Sequence, residues 1–288
     1  FTLGSMSIGI FQASLSIYFF RFRFPYVYTF LVAGENHKRL IYCKIPLKME
    51  FKLGRGHLPL SSFKAVFFDV GGTLIHVHPS VGDVYAKYAR PFGFSGSAQD
   101  LNDGFRTQWK KMGGIESLGN QSGAEAEKKF WYKLVYEVFQ PLGGLDRFEE
   151  YFDLIFDAFR EKSNWRIYED VVESKILETL KKRGVVLGVI SNWDSRLIST
   201  LENIGLAHYF DFILPSAMIG SAKPDKKIFE EALKRSGVAP HEACHIGDEI
   251  RTDVEGAQRV GIHSILLDRD NRFDSAGTNK VTSFLQLV

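Results

Sequence analysis

The stretch "KAVFFDVGGTLIH", residues 64–76, runs an apolar segment into a carboxylate, Asp69, and follows it with two glycines and a threonine. A short run that is apolar on both faces predicts a strand buried on both sides, as in a parallel sheet. Four similar runs follow: "VVLGVISN" (185–192), "DFILPS" (211–216), "ACHIGD" (243–248) and "HSILLD" (263–268). Helical patterns separate them. "DVVESKILETLKKRG" carries apolar residues at 172, 176, 177 and 180 and stops at Gly184, and "KPDKKIFEEALKRSG" stops at Gly237. From Ser61 onward this alternation predicts an α/β fold with a doubly wound parallel sheet.

The interval 78–164 contains no strand-like run. Trp131, Leu134, Val135 and Val138 fall at helical spacing, and so do Phe152, Ile155, Phe156 and Phe159. The pattern predicts a helical cap at 78–164 inserted into an α/β core of residues 61–77 and 165–288. Its aromatic stripes are expected to be core rather than a ligand box.

With 288 residues, 45% of them hydrophobic and 24% charged, the chain can bury the cores of one or two globular domains. The net charge of +2 is uneven: residues 1–60 hold 8 Lys/Arg against 2 Asp/Glu, leaving 28 against 32 for the remainder. A mildly acidic main body argues against a nucleic-acid-binding surface. Cys43 and Cys244 are too few for a disulfide framework or a cysteine-rich zinc site, so a reducing, cytoplasmic setting is expected. Residues 1–60 mix aromatic and basic residues without a clear helical or strand period. Arg21 and Arg23 interrupt the longest apolar run, and Ile8–Phe20 lacks a preceding basic residue and a following cleavage site. That segment is therefore expected to be an extension outside the domain, with Met49 offering a later start and no membrane anchor in the domain itself.

In open parallel sheets the ligand crevice lies outside the carboxyl ends of the strands. Those ends carry Asp69, then Ser191 and Asn192, then Asp248; Asp253 follows in the next helix, and Lys223 sits in "SAKPD" after the third run. Singly, each has an ordinary explanation as a cap, a turn residue or a solvated lysine. Together they make a poor core and a good site for a divalent cation and a phosphate. A carboxylate approaching a phosphoryl dianion is repelled unless a cation offsets both charges, and hard Mg²⁺ with oxygen ligands suits that task. Asp69 and Asp248 would anchor it. Lys223 would add a fixed positive charge, while Ser191 and the N–H groups of the turn at Gly71 and Gly72 receive phosphate oxygens.

The segments "DVGGTL" (69–74), "VISN" (189–192), "KPD" (223–225) and "HIGDEIRTD" (245–253) resemble, in order, the four motifs of the haloacid dehalogenase-like hydrolase superfamily, with a helical cap after the first. The resemblance covers residues 63 to about 270. It implies that Asp69 is the nucleophile forming an aspartyl-phosphate, that Thr73 and Ser191 steady the phosphate, with Gly72 and Asn192 beside them, and that Lys223 orients the nucleophile. It further implies that Asp248 ligates Mg²⁺ with Asp253 in support, and that the carbonyl of Gly71 is a further ligand.

Phosphatases of the superfamily usually carry a second Asp where this chain has Gly71, and losing a general acid–base typically forfeits about 10²- to 10⁴-fold in rate. Three functions are consistent with the departure. The first is a phosphatase of small molecules whose proton comes from His76, His78 or a cap residue, or whose leaving groups need little help. The second is a carbon–halogen or carbon–phosphorus hydrolase. The retained "GDEIRTD" argues against a halogen substrate, and carbon–phosphorus cleavage would want a Schiff-base lysine from Lys110, Lys111, Lys128, Lys129 or Lys133. The third is a phosphate- or metal-binding module with weak catalysis. A Mg²⁺-dependent phosphatase is expected; the oligomeric state is not legible.

Overall fold

A computed structural model describes residues 59–273 and 279–288, together with the backbone of four earlier strands. Those strands, Ser5–Ile10 (β1), Ala13–Phe20 (β2), Tyr28–Gly34 (β3) and His37–Cys43 (β4), pair in order as an antiparallel meander within the compact unit Phe1–Gly56. The absence of a clear period in the sequence there predicted none of them. The rest of the 1–60 extension, Met49 included, and the Cys43 side chain lie outside the described residues.

The second unit, His57–Val288, is built on a six-stranded parallel sheet. Its strands are Ala65–Phe68 (β5), Val186–Ser191 (β8), Phe212–Pro215 (β9), Ala243–Gly247 (β10), His263–Leu267 (β11) and Lys280–Val281 (β12), in the order β12-β11-β10-β5-β8-β9. The chain steps one way from β5 through β8 to β9, then returns to β10 on the other side of β5. The order therefore reverses between β5 and β10, and a crevice opens at their carboxyl ends. β5 is fully buried, with Val66 and Phe68 in the cluster on one face and Ala65 and Phe67 in the cluster on the other. That two-sided burial is why its residues show no polar alternation.

Helices Glu169–Ser174 (α5), Ile176–Lys182 (α6), Arg196–Asn203 (α7), Ser216–Ile219 (α8), Lys226–Ser236 (α9) and Gly256–Gln258 (α10) connect the strands. Asp225 caps α9 by accepting a bond from the Lys227 N–H, and Gly237 ends it at a φ of +67°. The expected single helix over 170–184 is instead two, because Lys175 takes a φ of +50° between α5 and α6. The break shifts the phase: Val171 faces the core, while Val172, expected on the buried face, is 60% exposed.

Ile75–Val77 (β6) and Trp165–Ile167 (β7) form a short antiparallel ribbon, and the residues between them hold Val81–Ala89 (α1), Ala98–Met112 (α2), Ala124–Phe139 (α3) and Phe148–Ala158 (α4). Ser97 starts α2 with a capping box to Asp100. These helices pack on their own apolar cluster, which includes Tyr85, Leu101, Leu134, Phe139 and Tyr151. Each such buried side chain contributes roughly 1.5–3 kcal/mol. Among the described residues no helix is long and apolar enough to cross a membrane. Among the described residues Cys244 is buried and free.

Candidate active site

The carboxyl ends of β5, β8 and β10 bring Asp69, Ser191 and Asp248 to one edge, and the π-helical turn Ile250–Glu255 adds Asp253. Asp69, Asp248 and Asp253 each offer an oxygen, and these three atoms lie within 4.8 Å of one another. Lys223 reaches in from the loop before α9. Its Nζ donates to Asp69 Oδ1 at 2.7 Å and to Asp253 Oδ1 at 2.5 Å. The Ser191 hydroxyl donates to the same Asp69 oxygen at 2.9 Å, so two donors fix how that carboxylate points.

Thr73 and Asn192 stand differently from expectation. Thr73 is fully buried behind the nucleophile position, its hydroxyl 3.4 Å from Asp69 Oδ2, and it does not line the cavity. The Asn192 amide lines the cavity, yet it accepts from the Lys223 N–H at 2.7 Å and donates to the Lys223 carbonyl at 2.9 Å. Its amide thus holds the lysine's backbone. Gly72 turns the chain at a φ of +77°, and a Cβ there would lie 2.5 Å from an Asp248 oxygen. The close approach of main chain to carboxylate therefore requires glycine at 72. Gly71 lines the cavity, and a Cβ built on it would meet only the Trp193 ring, at 3.5 Å.

The electrostatics follow from packing like charges in a buried space. Burial, then the charges of Asp69, Asp253 and Glu249, push Asp248 up to about 8 against a smaller pull from Arg272. Burial also raises Asp69, more than Lys223 lowers it. For Asp253 burial is outweighed by Lys223 and by His245, whose Nε2 lies 2.9 Å from Oδ1, and the carboxyl is held below its ordinary range. Lys223 is likewise buried, but Asp253 and Asp69 hold its ammonium charged. Three acids and one lysine leave a surplus of negative charge that a divalent cation would offset. The donor set is all oxygen, as Mg²⁺ prefers, and the residues present fit that ion.

Three supporting residues were not singled out from the sequence. His245 lies fully buried on β10 against Asp253. Arg269, beyond β11, donates to the carbonyls of Gly72 at 2.7 Å and Thr73 at 2.8 Å and pairs with Asp170 at 2.9 Å, clamping the turn after Asp69. Arg272 lies 3.4 Å from the Asp248 carboxylate. The signal for His245 was an ionisable residue in an otherwise apolar buried run. For the arginines it was that β11, too, ends at the crevice edge.

His76 lines the cavity, with Nδ1 at 3.0 Å from the Val77 carbonyl oxygen, whereas His78 does not line it. None of Lys110, Lys111, Lys128, Lys129 and Lys133 lines it either. Lys128 pairs with Asp153 at 3.0 Å on the surface, and Lys129 with Glu125 at 2.7 Å. The expectation that the cap's aromatic stripes are core holds for Leu134 and Val138, which are buried and do not line the cavity. It needs correcting for Trp131, Phe156 and Phe159, which are only partly buried, and for the buried Phe152, since all four wall the cavity.

The family model described as haloacid dehalogenase-like hydrolase matches residues 63–261. The chain is 33% identical over 217 residues to the mouse (Mus musculus) "Haloacid dehalogenase-like hydrolase domain-containing protein 3", covering 74% of this chain and 85% of that protein. Solved structures that share the fold include a phosphatase and a dehalogenase. An HAD phosphatase from Thermococcus onnurineus superposes with a TM-score of 0.55 at 23% identity, covering 78% of this chain and 95% of that one. A 2-haloacid dehalogenase from Pseudomonas syringae gives 0.53 at 24% identity, covering 78% and 96%.

Proposed function

Because the chain belongs to the haloacid dehalogenase-like hydrolases, we propose that it is a Mg²⁺-dependent phosphatase of small phosphorylated molecules, working in the cytoplasm without nucleic-acid partners and using Asp69 as its nucleophile. The observation that carries this reading is the meeting of Asp69, Asp248 and Asp253 within 4.8 Å beside a doubly paired Lys223. Fold likeness alone does not choose the chemistry, since phosphatases and dehalogenases both superpose. The acidic cluster favours a phosphorus-containing substrate. A carbon–halogen substrate brings no phosphate charge for a cation to offset, so Asp248 would there be a repulsive burden. A carbon–phosphorus hydrolase would want a Schiff-base lysine, and among the described residues no cap lysine lines the cavity.

Asp69, Asp248 and the Gly71 carbonyl would hold the ion, with Asp253 in support, because Asp253 already accepts bonds from Lys223, His245 and the Glu249 N–H. Bound there, Mg²⁺ supplies charge neutralisation for the phosphate dianion. The chain's residues do the rest. Lys223 and Ser191 lock the Asp69 carboxylate, Asn192 locks Lys223, and Arg269 locks the turn whose N–H groups would receive phosphate oxygens. Preorganised donors of this kind lower the barrier because they need not reorient as charge develops.

The test is phosphate release from a panel of phosphomonoesters with and without Mg²⁺, alongside Asp69→Asn. Turnover should need the metal, and the variant should lose about 10³-fold or more while staying folded. Full activity in the variant would remove the covalent route. Metal binding without any turnover would favour the binding module instead.

A further inference from the structure

Beyond its phosphate end the cavity, of about 550 Å³, is walled by aromatic rings. Its size suits one small ligand. All four tryptophans of the chain, Trp109, Trp131, Trp165 and Trp193, line it. On the cap side Phe105, Trp109 and Trp131 form a stacked run with centroids 5.8 and 5.7 Å apart. On the core side Trp165 and Trp193 meet at 5.0 Å, and Trp193 stands over Gly71. Beyond Lys223, the two arginines that line the cavity are already matched: Arg196, at the start of α7, pairs with Asp194 at 2.6 Å and lies on the Phe156 face at 3.5 Å, and Arg251 pairs with Glu116 at 3.2 Å. Polar groups such as Glu116, Glu249, Arg251 and Thr252 also line the cavity, but against the ring faces themselves a sugar or polyol would leave hydroxyls unpaired, whereas a flat ring would stack on them.

Gly71 points the same way. An alkoxide must be protonated as it leaves phosphorus, and this chain has no carboxyl at the position that normally supplies the proton. A phenoxide, whose charge spreads into its ring, needs no such help.

Resting on the phosphatase reading above, we propose that the substrate is an aryl phosphate. An Asp69 oxygen bonds to phosphorus as the bond from phosphorus to the aryl oxygen breaks. The electron pair departs on that oxygen, which afterwards takes a proton from water. Water then cleaves the acyl phosphate, releasing inorganic phosphate and restoring Asp69.

Phenyl, benzyl and ethyl phosphate, assayed with Mg²⁺, separate the two halves of the argument. Both aromatic esters should show a KM about tenfold or more below that of the ethyl ester. Only phenyl phosphate carries an acidic leaving group, so its kcat/KM, which reports the step that forms the acyl phosphate, should exceed that of benzyl phosphate by about 10²-fold or more. Trp131→Ala should raise the aromatic KM values toward the ethyl value. Equal kcat/KM for phenyl and ethyl phosphate, or for phenyl and benzyl phosphate, overturns the proposal and leaves the phosphatase reading standing. Should no ester turn over, calorimetric titration decides: benzylphosphonate binding about tenfold more tightly than propylphosphonate supports the aromatic ligand while the phosphatase reading falls. Equal binding, or none, overturns the aromatic ligand as well.

Discussion

A side chain at position 71 and one at position 72 would meet opposite fates. At Gly71 the added Cβ has ordinary contact with the Trp193 ring at 3.5 Å, whereas at Gly72 it falls 2.5 Å from Asp248 on a backbone with φ +77°. Gly71→Asp should therefore fold, and by restoring a proton donor it should raise turnover of alkyl phosphates by about 10²-fold or more. Aryl esters should gain far less, so the phenyl-to-benzyl ratio of kcat/KM narrows; an unchanged ratio would show that proton supply to the leaving group is not what limits that step. Gly72→Ala should instead cost roughly 1–3 kcal/mol of stability and spoil the proposed Mg²⁺-dependent phosphate release, measurable by urea denaturation and by phosphate assay. The sequence showed both glycines and the acids around them. It could not show which glycine the fold requires, because that depends on Asp248 folding back from a strand 176 positions away in the numbering.

Among the elements, strands were the most legible and helix phase the least. Every parallel strand but the short β12 coincides with an apolar run, because burial on both faces leaves a contiguous signal. The helix after β7 was misphased because one residue, Lys175, adopts a left-handed conformation that neither its chemistry nor its neighbours announce. A non-glycine residue there costs about 1–2 kcal/mol, partly offset by the entropy a glycine would lose on folding. Lys175→Gly should then stabilise the protein by about 0.5–1 kcal/mol in a urea titration; a loss of stability would mean that the Lys175 side chain makes a contribution larger than the strain. The cap stripes show a different limit. Helical periodicity tells which face turns inward, but a wall of a cavity and a piece of solid core are both inward, so Trp131 reads like Leu134.

At the scale of the molecule, the sequence motifs point to one edge of the sheet, the carboxyl ends of β5, β8 and β10, while what joins the helices α1–α4 to the sheet had to be seen. The Arg251–Glu116 pair, at 3.2 Å, spans the two, but Arg251 is 60% exposed and such a pair contributes under about 1 kcal/mol. Glu127 is the weightier contact. Fully buried on α3, it accepts bonds on Oε1 from Ser122 of the cap and, at 2.8 Å, from Ser216 at the start of α8, while Oε2 has no partner among the described residues. Burial, opposed by the serine bonds and helped by the charge of Asp194, moves its carboxyl from 4.5 to about 7. The folded state thus holds a proton that the unfolded chain has released, and stability is full below 4.5 and falls as pH rises through about 7. The contribution reaches up to about 3 kcal/mol, because holding a proton against a tenfold drop in its concentration takes about 1.4 kcal/mol. Glu127→Gln keeps an acceptor for both serines and never ionises, so its thermal midpoint should decline less between about pH 5 and pH 8 than that of the parent protein. Parallel declines in the two proteins would place the pH sensitivity elsewhere and reduce Glu127 to an ordinary hydrogen-bonded contact between α3 and α8.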